Sequence, residues 1–178
     1  MATVVLTGFM GTGKTRVGAE LAARLRRPFV DTDALVERAE GRAVSEIFAR
    51  DGEAHFRAAE RRAIAEALAT PDAVIATGGG AIADPANFDR LHAAAPIVCL
   101  VARPETILER TQNAPGARPL LTGGRPDERV RALLAERAPA YARSDLMVET
   151  TARSVGELVD DIVEFLRRRQ PSSEGVST

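Results

Sequence analysis

The sequence predicts an α/β domain built on a parallel sheet whose strands are buried on both faces. Three observations predict it. Gly8–Thr15 reads GFMGTGKT, the pattern G-x-x-x-x-G-K-T, between an apolar run at Val4–Leu6 and a helical pattern with Val17, Leu21 and Leu25 on one face. That is the strand–loop–helix setting a phosphate-binding loop requires. Short apolar runs then alternate with amphipathic helical segments, as in a parallel sheet with crossover helices. A length of 178 residues, with 45% hydrophobic and 28% charged content, suits one core.

The first strand is Ala2–Leu6, short and apolar enough to be buried on both sides. Gly8, Gly11 and Gly13 let the following backbone approach an anion closely. The N–H groups of that loop form a phosphate cradle at a helix N-terminus, so Gly11, Thr12, Gly13, Lys14, Thr15 and Arg16 are the candidate ATP contacts. Lys14 can reach the terminal phosphates, and the Thr15 hydroxyl can hold Mg²⁺. Among 24 Lys and Arg residues Lys14 is the single lysine; a compact ammonium suits a tight loop where a broad planar guanidinium fits poorly. The motif indicates a nucleoside triphosphate and leaves the phosphate acceptor open.

Lys14–Arg26 is the first helix, stopped with the help of Pro28, and Phe29–Val30 is the second strand. Asp31-Thr32-Asp33 follows at that strand's C-terminal end, the edge where open α/β sheets bind ligands. One carboxylate could hold a Mg²⁺-bound water and the other accept a hydroxyl proton. Equally, Asp33 could simply cap the helix Ala34–Glu40. Gly41 ends that helix. Val44–Arg50 and Glu53–Leu68 read as two helices. The second carries Arg57, Glu60, Arg61 and Arg62, and its Glu53–Arg57 spacing reads as a solvated, ion-paired face. Ala73–Ala76 is the third strand, ending in Thr77-Gly78-Gly79-Gly80. Three glycines at the ligand edge suggest close backbone approach to a substrate, against the alternative of a mobile loop.

Pro85–Ala93 is a helix; His92, near its end, has no histidine or cysteine neighbour in sequence and no metal role. Ile97–Val101 is the fourth strand and holds the one cysteine, Cys99, read as a buried small hydrophobe. Pro104–Gln112 is a helix. Asn113–Pro126 then breaks all periodicity around the apolar Pro119-Leu120-Leu121 and reads as a lid, about residues 113–125, that closes over nucleotide and carries an arginine inward, against the alternative of a floppy surface loop. Asp127–Arg143 is helical, with a kink expected at Pro139. Leu146–Val148 is the fifth strand, and Val155–Arg168 a final amphipathic helix. Residues 1–169 thus form one domain, and the Ser/Pro/Gly-rich 170–178 is expected to be a disordered tail.

The net charge of −1 offers no electrostatic case for binding nucleic acid or anionic membrane. One cysteine allows no internal disulfide, which suits a reducing compartment. The N-terminus enters a strand directly without a leader pattern, and no run of about 18 apolar residues occurs. A cytoplasmic monomer is the default expectation.

Taken in series, GFMGTGKT, the DTD at Asp31–Asp33, Phe56-Arg57, Gly78–Gly80, Arg118-Pro119-Leu120-Leu121 and RAPAY at Arg137–Tyr141 resemble the shikimate kinases, small P-loop kinases of the nucleoside monophosphate kinase type. The likeness runs from Val4 to about Leu166. It implies a three-layer fold with a five-stranded parallel sheet in the order 2-3-1-4-5. It implies transfer of the ATP γ-phosphoryl group to the 3-hydroxyl of shikimate, an aromatic-pathway intermediate, with Mg²⁺. By the same likeness Asp33 contacts the acceptor hydroxyls as a candidate base, and Arg57 and Arg137 clamp the carboxylate. The Gly78–Gly80 loop lines the acceptor, Gly79 lending an N–H. Asp31 acts through Mg²⁺-bound water, Arg118 reaches the phosphates from the lid, and Arg153 lies near the adenine. Competing readings are another small-molecule kinase of this fold, such as a gluconate kinase, and a nucleotide-binding regulator that has lost catalysis.

Overall fold

The structure, a computed structural model, describes residues 3–112 and 125–169. The predicted lid with Arg118, and the tail 170–178, lie outside the described residues.

Five parallel strands form one sheet: β1 (Val4–Gly8), β2 (Phe29–Asp31), β3 (Val74–Ala76), β4 (Ile97–Val101) and β5 (Leu146–Glu149). Their order is β2-β3-β1-β4-β5, as the resemblance implied. β1 and β3 are buried along their whole length, because successive side chains feed opposite cores. Val5, Ile75 and Ile97 join the core on one face with Phe9, Ile64 and Ile107. Val4, Leu6, Val74 and Val98 join the other with Leu21, Leu158 and Ile162. The first core lies under α3 (Val44–Leu68), α4 (Pro85–Ala94), α5 (Pro104–Gln112) and α6 (Pro126–Tyr141). The second lies under α1 (Lys14–Leu25) and α7 (Val155–Arg169).

Two boundaries, at α2 and α6, differ from the sequence expectation. α2 spans Thr32–Glu40 and is capped by Asp31, not Asp33: one Asp31 carboxylate oxygen accepts from the N–H groups of Asp33 and Ala34 at 2.9 and 3.4 Å. The two helices expected between Val44 and Leu68 are both present within α3, separated by a kink at Gly52 (φ 82°), a left-handed angle that glycine takes without strain. α6 continues through Pro139 to Tyr141, and the Ala142 N–H still reaches the Ala138 carbonyl at 2.9 Å.

Cys99 is buried in β4 as expected, and burial pushes its thiol up to about 12. Among the described residues no helix is long and apolar enough to cross a membrane.

Where β1 turns into the phosphate loop, Gly8 (φ 134°) sits beside β4 with no room for a side chain: a Cβ there would run into the Leu100 carbonyl oxygen. Gly8→Ala should therefore cost about 3 kcal/mol or more, combining backbone strain with overpacking. Urea unfolding tests this. A fall in midpoint at constant slope is expected, and an unchanged midpoint would show that the strand end yields.

Candidate active site

The C-terminal ends of β1, β2 and β3 meet at two adjoining hollows. The first is the phosphate loop. Gly13 (φ 91°) forms the N-cap of α1, whose first turn holds no acidic residue, so the positive end of the helix dipole faces the loop uncompensated. The Thr12 hydroxyl donates to the Phe9 carbonyl at 2.7 Å and stiffens the turn from within. Lys14 Nζ donates to the carbonyls of Gly8 (2.7 Å) and Phe9 (2.9 Å), which hold the ammonium over the loop mouth.

Opposite, Thr15 Oγ1 donates to Asp31 Oδ2 at 2.9 Å. Asp31 divides its two oxygens: Oδ1 caps α2 and Oδ2 is left to face Thr15. Two hard oxygen donors beside a phosphate cradle fit Mg²⁺, which keeps most of its waters and takes few protein ligands.

The second hollow is lined by Gly78–Gly80, Arg57, Glu60 and Arg137, with Val44, Phe48 and Phe56 as an apolar wall. Met10, Lys14 and Asp33 line both hollows. Asp33 stands in the first turn of α2, and its Oδ1 is buried without a hydrogen-bond partner. Burial, reinforced by the Asp31 charge and opposed by Lys14, pushes its carboxyl up to about 6. Asp33 therefore sits in the wall between the two hollows with its proton affinity raised.

The triglycine loop brings the distant arginines together. A Cβ on Gly80 would lie 2.7 Å from Arg57 Nη2, and one on Gly79 would lie 3.3 Å from Arg137 Nη1. One on Gly78 would lie 2.8 Å from Glu60 Oε1 and 2.9 Å from Asp33 Oδ1. Each glycine thus clears space for a different charged group. Arg137 is only 5% exposed, with its guanidinium carbon 5.3 Å from the Phe9 ring centroid. Two cations facing one hollow beside an apolar wall suit a small carboxylate.

The chain matches known proteins over nearly its full length. The family model for shikimate kinase matches residues 10–167. The chain belongs to the shikimate kinase family. It is 46% identical over 165 residues to the shikimate kinase of Thermus thermophilus, covering 93% of this chain and 90% of that one. The structure of a shikimate kinase from Acinetobacter baumannii in complex with shikimate superposes with a TM-score of 0.91 at 34% identity, covering 96% of this chain and 95% of the other. A gluconokinase from Sinorhizobium meliloti, at 19% identity and a TM-score of 0.57 with 94% and 92% coverage, shares the fold alone.

Two residues that line these hollows escape a reading by sequence. Glu60 sits in a charge-rich stretch of α3 that reads as solvated, yet it is fully buried and accepts from Arg57 Nη1 at 2.9 Å. Burial raises its carboxyl pKa against the pull of Arg57 and Arg137. For Arg57, burial acts to lower the guanidinium pKa, but Glu60 and Glu53 outweigh it and the net shift is upward. The only sequence hint was the i,i+3 spacing, which matters only once that helix face is known to pack on the triglycine loop.

Arg110, on α5, is the second. It donates to the Gly11 carbonyl (3.1 Å) and to Thr150 through its hydroxyl (3.1 Å) and carbonyl (3.0 Å). It lines the phosphate hollow and a third one beyond it, shared with Thr12, Arg16 and Arg153. Arg153 faces that third hollow while paired with Asp161 at 2.6 Å. Arg110→Ala should weaken ATP about 10- to 150-fold and leave acceptor KM little changed, since one lost charge-assisted contact is worth about 1.5–3 kcal/mol. Nucleotide binding by calorimetry checks it, and equal losses for both substrates would remove Arg110 from the nucleotide side.

Proposed function

We propose that the two hollows perform one phosphoryl transfer, ATP lying on the phosphate loop and shikimate between Asp33, Arg57, Arg137 and the triglycine loop. As a shikimate kinase family member the chain is an ATP-dependent kinase acting on shikimate. What carries the placement is the wall the hollows share, where Lys14 and Asp33 face both.

The backbone of Gly11–Gly13, with Lys14 and Arg16, cradles the phosphates. Thr15, and Asp31 through water, would hold Mg²⁺, which when bound would supply positive charge to offset that developing on the transferred phosphoryl group. Arg57 and Arg137 clamp the acceptor carboxylate, and Gly79 lends an N–H. Asp33 takes the proton of the 3-hydroxyl as its oxygen bonds to the γ-phosphorus. The bond to the β-γ bridging oxygen breaks, and ADP and shikimate 3-phosphate result. Arg118, outside the described residues, is assigned to the phosphates by its position before Pro119-Leu120-Leu121. Excluding water keeps the γ-phosphoryl group for the acceptor rather than for hydrolysis.

The test is ADP release with ATP and Mg²⁺, with and without shikimate, beside gluconate and nucleoside monophosphates. Stimulation by shikimate alone is expected. Stimulation by another acceptor would keep the phosphate-loop chemistry and overturn the acceptor site. Silence across the panel would leave a nucleotide-binding protein without transfer.

A further inference from the structure

We propose that Tyr141 is a positioning residue for the acceptor: its hydroxyl fixes the Gly79 carbonyl and ties the triglycine loop to the helix that carries Arg137. The inference rests on the second hollow being the acceptor site.

Three successive glycines have the greatest backbone freedom of any tripeptide, and holding them in one shape costs conformational entropy. The loop is therefore held by hydrogen bonds. The Gly78 N–H donates to Thr32 Oγ1 at 3.3 Å. The carbonyls of Gly78 and Gly80 accept from Ala81 and Ala83, both at 3.1 Å, inside the 3-10 turn that follows. The Gly79 carbonyl is held from outside: Tyr141 Oη donates to it at 2.6 Å.

That bond fixes a direction as well as a position. With the Gly79 carbonyl held by Tyr141 on one side and the Gly78 N–H held by Thr32 on the other, the planar Gly78–Gly79 peptide between them, whose N–H is assigned to the acceptor, is restricted in how it can turn. Gly79 is also wedged, since a Cβ there would meet the Gly8 carbonyl at 3.1 Å, Arg137 Nη1 at 3.3 Å and the Met10 N–H nitrogen at 3.4 Å. The same loop residue thus touches the start of the phosphate loop, one cation of the clamp and Tyr141.

Arg137 and Tyr141 are four residues apart on α6 and share a face of it. Both are buried, at 5% and 4% exposure. A ring serving packing alone needs no hydroxyl there. Burial pushes the phenol up to about 12, so it stays a protonated donor at any working pH. One helix thus sets both a cation of the carboxylate clamp and the shape of the triglycine loop.

The chain has one tyrosine and no tryptophan, so its intrinsic fluorescence reports this ring. Shikimate added to the wild-type protein without ATP should change that emission saturably. No change at saturating acceptor would overturn the proposal. Tyr141→Phe keeps the ring and removes only the hydroxyl, leaving a buried carbonyl unpaired. Acceptor KM should rise about tenfold, with ATP KM unchanged and a smaller loss in kcat. Arg137→Ala, assayed in parallel, separates the two readings. If Arg137→Ala raises acceptor KM and Tyr141→Phe does not, the tyrosine's positioning role fails alone. If neither moves acceptor KM, the acceptor site itself is misplaced. Equal rises in both substrates' KM for Tyr141→Phe would make the hydroxyl merely structural.

Discussion

Asp33→Asn should abolish phosphoryl transfer, lowering kcat by about 10²–10⁴-fold, while ATP affinity holds. Asparagine keeps the shape and the place in the wall between the hollows but cannot take a proton from the acceptor hydroxyl. Loss of ATP affinity in this variant would instead move Asp33 to the nucleotide side. The raised carboxyl adds two consequences. Only the ionised form accepts a proton, so kcat/KM for shikimate should fall as pH drops through about 6. Activity unchanged well below that pH would exclude Asp33 as the base.

Stability should move the other way. The folded pKa of about 6 lies above the ordinary 3.8, so folding favours the protonated carboxyl. That preference stabilises the protein fully below pH 3.8 and is lost as pH rises through about 6. At neutral pH the buried carboxylate then costs about 3 kcal/mol. Asp33→Asn removes that cost, so Tm at neutral pH should rise above that of the parent, and the gap should close near pH 4. A variant less stable than its parent at neutral pH would mean that native contacts hold the ionised form. Function at the expense of stability is common at sites that bury charge.

Arg137→Ala should raise acceptor KM by about 10²–10³-fold, with ATP KM little changed, because truncating a desolvated charge at a binding site costs about 2–5 kcal/mol. Arg137 lies against Phe9 and Gly79, and its charge helps offset buried Glu60. Arg137→Lys should recover only part of the affinity, since an ammonium is a point charge and cannot present two parallel donors to a carboxylate. Equal losses for both substrates would remove Arg137 from the clamp. Folded protein must be confirmed first, because Glu60 loses part of its compensation in the alanine variant.

The sequence by itself determined whatever chemistry is local. Eight contiguous residues specify the phosphate loop, because cradle, lysine and metal hydroxyl all sit on one strand–loop–helix turn. Apolar runs located the strands most clearly at the centre of the sheet, where β1, β3 and β4 bury both faces and leave an uninterrupted signal, while the edge strands β2 and β5 stay partly exposed. Tertiary structure alone decided which polar residues face the site. Asp31, not Asp33, caps α2, and that frees Asp33 for the wall between the hollows. Glu60 looked like an ordinary surface charge, Arg110 carried no signal of its own, and Tyr141 stood out only as the end of the RAPAY motif. Each gained its role only where α3, α5 or α6 packs on the triglycine or phosphate loop. Periodicity shows which side of a helix is apolar. Which polar side chain at the edge of that stripe meets a loop from elsewhere in the chain depends on packing, which sequence spacing does not encode.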